Sequence, residues 1–259
     1  MLMILRMLTL FICIIPTETV PTQDTYAVVV GISDYEALSD RTGDLHFADR
    51  DARQVAVFLR SASGGSVPAD HIRLLTNRQA TRSRIQQALA LFRQAKPGDR
   101  VLFYFSGHGG ADSFAPHDAG VAGRSTMLTH SDIKNAFRQS SASTKLCIAD
   151  ACLSGSMTRL RQSSGQKPSG VVGGTGSVAM LLASRSTQNA VESRRLTGGA
   201  FTHYLLLGLG GRADRNADRT VTIRELHQYV APQVRRATGG RQTPVFYGRF
   251  SDNLALSYL

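Results

Sequence analysis

Short apolar runs rich in β-branched residues alternate along this chain with stretches of helical periodicity, and that alternation restricts the fold more than any other feature. TYAVVVGI (25–32) is followed by LHFADRDARQVAVFLR (45–60), HIRLLTN (71–77) by TRSRIQQALALFRQA (81–95), and then come RVLFYFSG (100–107) and TKLCIAD (144–150). The apolar runs are continuous rather than alternating, so both faces of each strand need covering. Strands interleaved with helices in this way predict βαβ units, an α/β class and a mainly parallel sheet with helices on both faces.

The second half repeats the theme at smaller scale. VAMLLAS (178–184) reads as a strand, GAFTHYLLLGL (199–209) as a helix, TIRELHQYVAPQVRRA (222–237) as a helix with a kink at Pro232, and TPVFYG (243–248) as a last strand. Between the halves, LSGSMTRLRQSSGQKPSGVVGGTGS (153–177) is rich in Gly, Ser and basic residues and reads as a long loop. The later half has too few strands for a sheet of its own. One domain over 24–259 is therefore expected, divided into a larger part (24–156), a loop (157–177) and a smaller part (178–259) sharing one sheet.

Ahead of that domain, residues 1–23 carry Arg6 and then the apolar run MLTLFICII, too short to span a bilayer and suited to a signal-peptide core. Export to the periplasm or the outside is the expectation, with cytoplasmic residence the alternative. No later segment has transmembrane length, so no stable membrane insertion of the mature chain is expected. The net charge of +11 comes from scattered residues, with no basic helix and no aromatic-interleaved patch, and no nucleic-acid partner is expected. Of the three cysteines, Cys13 falls in the leader, Cys147 lies within an apolar strand and reads as a buried hydrophobe, and Cys152 follows that strand into a loop.

In an open parallel sheet, ligands bind beyond the carboxyl ends of the strands. FYFSGHGG and CIADACLSG both deliver polar residues there: Ser106, Gly107, His108 and Gly109 from one strand, Asp150, Ala151 and Cys152 from the other. A thiol attacks a carbonyl at neutral pH only with a lowered pKa or an adjacent base, and an imidazole supplies both. Acyl transfer is implied, with Cys152 as nucleophile and His108 as acid/base. The backbone N–H groups of Gly109 and Cys152 are the candidates for an oxyanion hole.

SGHG after one apolar strand, then D-A-C-x-S-G after another, resembles the caspase and metacaspase superfamily of cysteine peptidases. YAVVVGI, LHFADRDA, GAFTHYLLLGL and RQTPVFYG extend the resemblance over nearly the whole mature chain. It implies a caspase-like sandwich and a cysteine endopeptidase with a Cys152/His108 dyad and no metal in the chemistry itself. Within the superfamily the sequence is similar to metacaspases and bacterial orthocaspases, which hold Arg or Lys before the scissile bond with acidic residues. Asp150 and Asp51 match those pocket acids, and Ser106 and Ala48 would line the same pocket. Asp49 competes for the Asp51 role, but residues two apart on a helix do not share a face. The caspase pattern Q-A-C-x-G is absent, and Leu153 stands where the family usually has a histidine.

Protein or peptide substrates with Arg, more weakly Lys, before the cut are therefore expected. Arg159, Arg161 and Lys167 in the loop offer sites for self-cleavage. A catalytically idle homologue acting as an interaction or scaffold module is the alternative. DRNADRTVTIRE (214–225) sets Asp214, Asn216, Asp218, Thr220 and Glu225 at EF-hand-like positions, so calcium is a candidate ligand there; Arg219 replaces the turn glycine, and Thr222 with Glu225 is equally a capping box. Asp118 and Asp132 match the acidic calcium sites of metacaspases poorly.

Overall fold

A computed structural model describes residues 23–39, 43–110, 112–120, 127–151, 177–183, 192–193 and 196–259. The leader, Cys13, Cys152 and the loop over 157–176 lie outside the described residues. Among the described residues no helix is long and apolar enough to cross a membrane.

The chain builds the alternation expected of it. β1 (Thr25–Gly31) leads to α1 (Ala48–Arg60), β2 (Ile72–Thr76) to α2 (Arg82–Leu89), and β3 (Arg100–Gly107) to a small antiparallel unit of β4 (Gly109–Gly110), β5 (Ser113–Phe114) and β6 (Leu128–Thr129). Then follow α3 (His130–Arg138), β7 (Thr144–Ala151), β8 (Ser177–Leu182), β9 (Glu192–Ser193), β10 (Gly198–Gly199) and α4 (Ala200–Leu207). The remaining elements are β11 (Thr220–Thr222), α5 (Ile223–Ala237), β12 (Val245–Arg249) and β13 (Ala255–Tyr258).

The main sheet has the order β12-β8-β7-β3-β1-β2. Strands β2, β1, β3, β7 and β8 are mutually parallel, and only β12, at the edge, runs antiparallel. β8, from the smaller part, pairs directly with β7, from the larger, so the two parts do share one sheet.

The continuous apolar runs explain why this sheet lies inside. Val28, Val30, Phe103, Phe105 and Cys147 project into one core with Ile85 of α2 and with Ile133 and Phe137 of α3. Their neighbours Ala27, Val29, Leu102, Tyr104 and Ile148 project into a second core with Val55 of α1, Phe201 and Leu205 of α4, and Leu226 and Val230 of α5. Successive residues thus feed opposite faces, which makes a three-layer sandwich with all five parallel strands ending on one edge.

Three features differ from the sequence expectation. α3 falls in a stretch where no element was expected, yet Thr129 and Asp132 form a capping box there and Ile133 and Phe137 supply an i, i+4 apolar stripe. The helix expected over 199–209 ends at Leu207 and passes into a π-turn, Gly208–Arg212, where Gly211 takes φ 111°. α5 runs unbroken through Pro232.

Candidate active site

The site is assembled by register. β3 and β7 are parallel neighbours in which Ser106 lies opposite Asp150 and Gly107 opposite Ala151. His108 leaves β3 one residue later, and Ala151 is the last described residue before Cys152.

His108 is fixed on three sides. Its backbone N–H donates to the Tyr35 hydroxyl at 2.7 Å, and the two rings are tilted against each other with centroids 4.9 Å apart. Its ring Nε2 lies 2.5 Å from the Gly43 carbonyl oxygen. A carbonyl only accepts, so Nε2 carries the proton in the neutral ring and Nδ1 is left as the basic nitrogen. Gly107 permits this arrangement: its φ is 155°, and a Cβ there would stand 2.6 Å from the Tyr35 hydroxyl. Tyr35, itself 3% exposed, is accordingly part of the site. A Tyr35→Phe variant removes the acceptor of the His108 N–H, which costs about 1–3 kcal/mol when the donor is buried. We expect kcat/KM to fall about tenfold with a lowered melting temperature; unchanged values of both would show that the hydroxyl holds nothing.

Gly109 sits in β4 opposite Phe114. The adjoining pair is hydrogen-bonded, Ala115 N–H to the His108 carbonyl at 2.9 Å, so the alternation of an antiparallel ladder turns the Gly109 N–H away from β5. That is the orientation an oxyanion donor at the edge of this small unit requires.

Asp51 and Asp150 reach the same place from different elements. Asp51 lies in the first turn of α1 and Asp150 near the end of β7; they are 1% and 4% exposed. Asp51 Oδ2 accepts from the Gly199 N–H at 2.9 Å and from the Ser106 hydroxyl at 3.4 Å. Asp150 Oδ2 accepts from the Thr202 N–H at 3.1 Å and from its hydroxyl at 2.8 Å. A Cβ on Gly199 would stand 2.2 Å from Asp150 Oδ2 and 2.8 Å from Asp51 Oδ2, so both carboxylates crowd the N-terminus of α4 and only glycine fits between them. The positive end of the helix and its N–H groups favour two buried negative charges there. Asp49 points elsewhere, accepting from the Ser33 hydroxyl at 2.8 Å and pairing with Arg53 at 3.8 Å. Ala48 is buried at the start of α1, where its carbonyl faces Gly31.

Cys147 is wholly buried, and burial pushes its thiol up to about 12. Iodoacetamide applied to the native protein at neutral pH should leave Cys147 unlabelled until the fold is opened; native labelling there would contradict its place in the core.

In the 214–225 stretch, Asp214 Oδ2 accepts the Arg219 N–H at 3.1 Å, Asn216 donates to Asp218 at 2.9 Å, and the Thr220 N–H donates to Asp218 at 2.8 Å. Arg219 takes φ 67°, the left-handed conformation for which a glycine was missing. Glu225 closes a capping box with Thr222 and takes the Arg215 N–H at 3.3 Å on its other oxygen. Among the described residues no group of three or more His, Cys, Asp or Glu side chains is placed to hold a metal ion. Asp118 accepts from the Arg82 N–H at the start of α2, and Asp132 caps α3.

The family model described as the caspase domain matches residues 24–255. The chain belongs to the caspase-domain family. The fold of the caspase domain is seen again in solved structures: a protein of Geobacter sulfurreducens, 17% identical, superposes with a TM-score of 0.62 over 88% of this chain and 94% of its own. Caspase-1 of Spodoptera frugiperda, 12% identical, gives 0.61 over 92% and 91%. No curated protein matches the sequence. A caspase domain is that of a cysteine peptidase, which makes proteins and peptides the expected substrate class.

Sequence reading did not find Tyr35, Gly43, Gly199 or Thr202. Gly43 acts through its carbonyl, which no side-chain pattern reveals. Gly199 and Thr202 sit in GAFTHYLLLGL, whose helix N-terminus was visible although its partners were not.

Proposed function

We propose that this caspase domain is a metacaspase-like endopeptidase that cleaves after arginine, and more weakly after lysine, through Cys152 and His108. The observation that supports it best is the β3/β7 register, in which Gly107 lies opposite Ala151; in the sequence His108 follows the first of these and Cys152 the second. Nucleophile and base thus issue from adjacent strand ends.

His108 Nδ1 takes the thiol proton while Nε2 stays bonded to the Gly43 carbonyl. The thiolate adds to the scissile carbonyl carbon, and its oxygen gains negative charge facing the Gly109 and Cys152 N–H groups. On collapse the C–N bond breaks, and His108 returns the proton to the departing amine. Water, deprotonated by His108, then opens the thioester and frees the acid. No step passes through a metal.

Asp51 and Asp150 support the preference for a basic residue, because a guanidinium beside two buried carboxylates makes charge-assisted contacts that a neutral or acidic side chain cannot. Peptides identical except for Arg, Lys or Asp before the cleaved bond test this: turnover ordered Arg, Lys, then Asp is expected, and preference for Asp would overturn it. No turnover of any of them, with the fold intact, would favour an idle homologue.

A second reading of the two acids is favoured by their α4 donors. Asp51 and Asp150 join the larger part to the smaller, acting as a latch between α1, β7 and α4. Asparagine at either position separates the readings: loss of thermal stability without change in the Arg/Lys/Asp ranking assigns the latch alone.

Self-cleavage belongs to the same proposal. Two fragments from the wild type, but not from Cys152→Ala, with new termini after Arg159, Arg161 or Lys167, are expected on a gel and by mass spectrometry. An intact, fully active wild type would contradict it.

A further inference from the structure

We propose that Thr202 and Tyr104 are positioning residues of the arginine pocket, a two-hydroxyl relay that orients Asp150 toward its substrate. This rests on the reading of Asp150 as a pocket acid.

The direction of each bond follows from the chemistry of the groups. Thr202 is fully buried, and its hydroxyl lies 2.8 Å from Asp150 Oδ2 and 2.6 Å from the Tyr104 hydroxyl. A carboxylate only accepts, so the single Thr202 proton goes to Asp150. Tyr104 must then donate to Thr202. Burial, and after it the charges of Asp51 and Asp150, hold the Tyr104 phenol well above the ordinary tyrosine range, so it stays protonated and able to donate. The Thr202 N–H, in the first turn of α4, adds a second bond to the same carboxylate oxygen at 3.1 Å.

The relay therefore runs Tyr104 to Thr202 to Asp150, and each member is anchored in a different element. Tyr104 stands on β3, two residues before Ser106, whose own hydroxyl serves Asp51. Thr202 stands on α4. Asp150 stands on β7, two residues before Cys152. A carboxylate bonded in this way is fixed in rotation, and guanidinium recognition depends on that orientation because the fork is planar. Lysine, a point charge on a flexible stem, depends on it less. The relay thus bears on discrimination between the two basic residues.

The test compares Thr202→Val, Thr202→Ser and Tyr104→Phe on matched Arg and Lys peptides, with melting temperature measured for each full-length protein. Thr202→Val keeps the shape and removes the hydroxyl. It should raise KM for the Arg peptide roughly tenfold, leave kcat within about twofold, and narrow the Arg/Lys ratio. Thr202→Ser restores the donor and should behave as wild type; Tyr104→Phe should shift KM in the same direction by a few-fold. Unaltered KM and Arg/Lys ratio in Thr202→Val would overturn the relay, as would an equal defect in Thr202→Ser. So would a fall in kcat and melting temperature without a change in the ratio. If Thr202→Val does not fold, the Ser and Phe variants decide by the same ratio. Asp150→Asn separates the layers: an unchanged Arg/Lys/Asp ranking in that variant removes the pocket reading itself, whereas a changed ranking beside an inert Thr202→Val removes only the relay.

Discussion

A His108→Ala variant is expected to lose about three orders of magnitude or more in kcat/KM on an arginine peptide, with its melting temperature little changed. The half-exposed ring bonds the Gly43 carbonyl through Nε2 and lies tilted against Tyr35, so its removal deletes few core contacts. What disappears is the only histidine at the ends of β3 and β7 among the described residues. Others serve packing: His71 stacks on Tyr26, and His130 is buried edge-on to Phe114, where burial drives it down to about 4. A variant retaining more than a tenth of the activity would show that the base lies elsewhere.

The second large effect concerns specificity. Asp150→Asn is expected to cut kcat/KM for the arginine peptide by about a hundredfold, close to 3 kcal/mol, while affecting a neutral peptide far less. Removing one partner of a buried charge pair strands the other, which gives a cost of this size. Asn also presents an amide N–H₂ toward the Thr202 donors, so part of the loss comes from the site itself. Parallel measurement on Arg and neutral peptides separates the contributions; an equal loss on both would assign Asp150 to the latch.

Much of the fold was legible because β1, β3 and β7 are apolar on both faces. Residues such as Val28 and Val29 feed opposite cores, and a strand of that kind needs cover on both faces, which the interleaved helices supply. α3 is harder to see: Thr129, Asp132, Ile133 and Phe137 carry its signal, but the short polar stretches around it dilute the periodicity. For the site, SGHG and DAC mark the strand ends, and the adjacency of β3 and β7 follows from topology rather than from spacing in the chain. Helical geometry says only that Asp49 and Asp51 cannot share a face, and the two have different partners, Ser33 for Asp49 and the Gly199 N–H for Asp51. What binds Asp51 and Asp150 was not legible, because Gly199 is 148 residues from Asp51 and Thr202 is 52 from Asp150. Long-range partners of that kind leave no local pattern.

Covalent trapping identifies the nucleophile most directly. Incubation with a peptidyl-arginine acyloxymethyl ketone, followed by digestion and mass spectrometry, reports which atom attacks: the thiolate displaces the carboxylate and remains bonded to the ketone methylene. One adduct per chain on Cys152 is expected, absent from Cys152→Ala and much slower with the aspartate analogue. An adduct on Cys147, or continued peptide turnover by Cys152→Ala, would contradict the account.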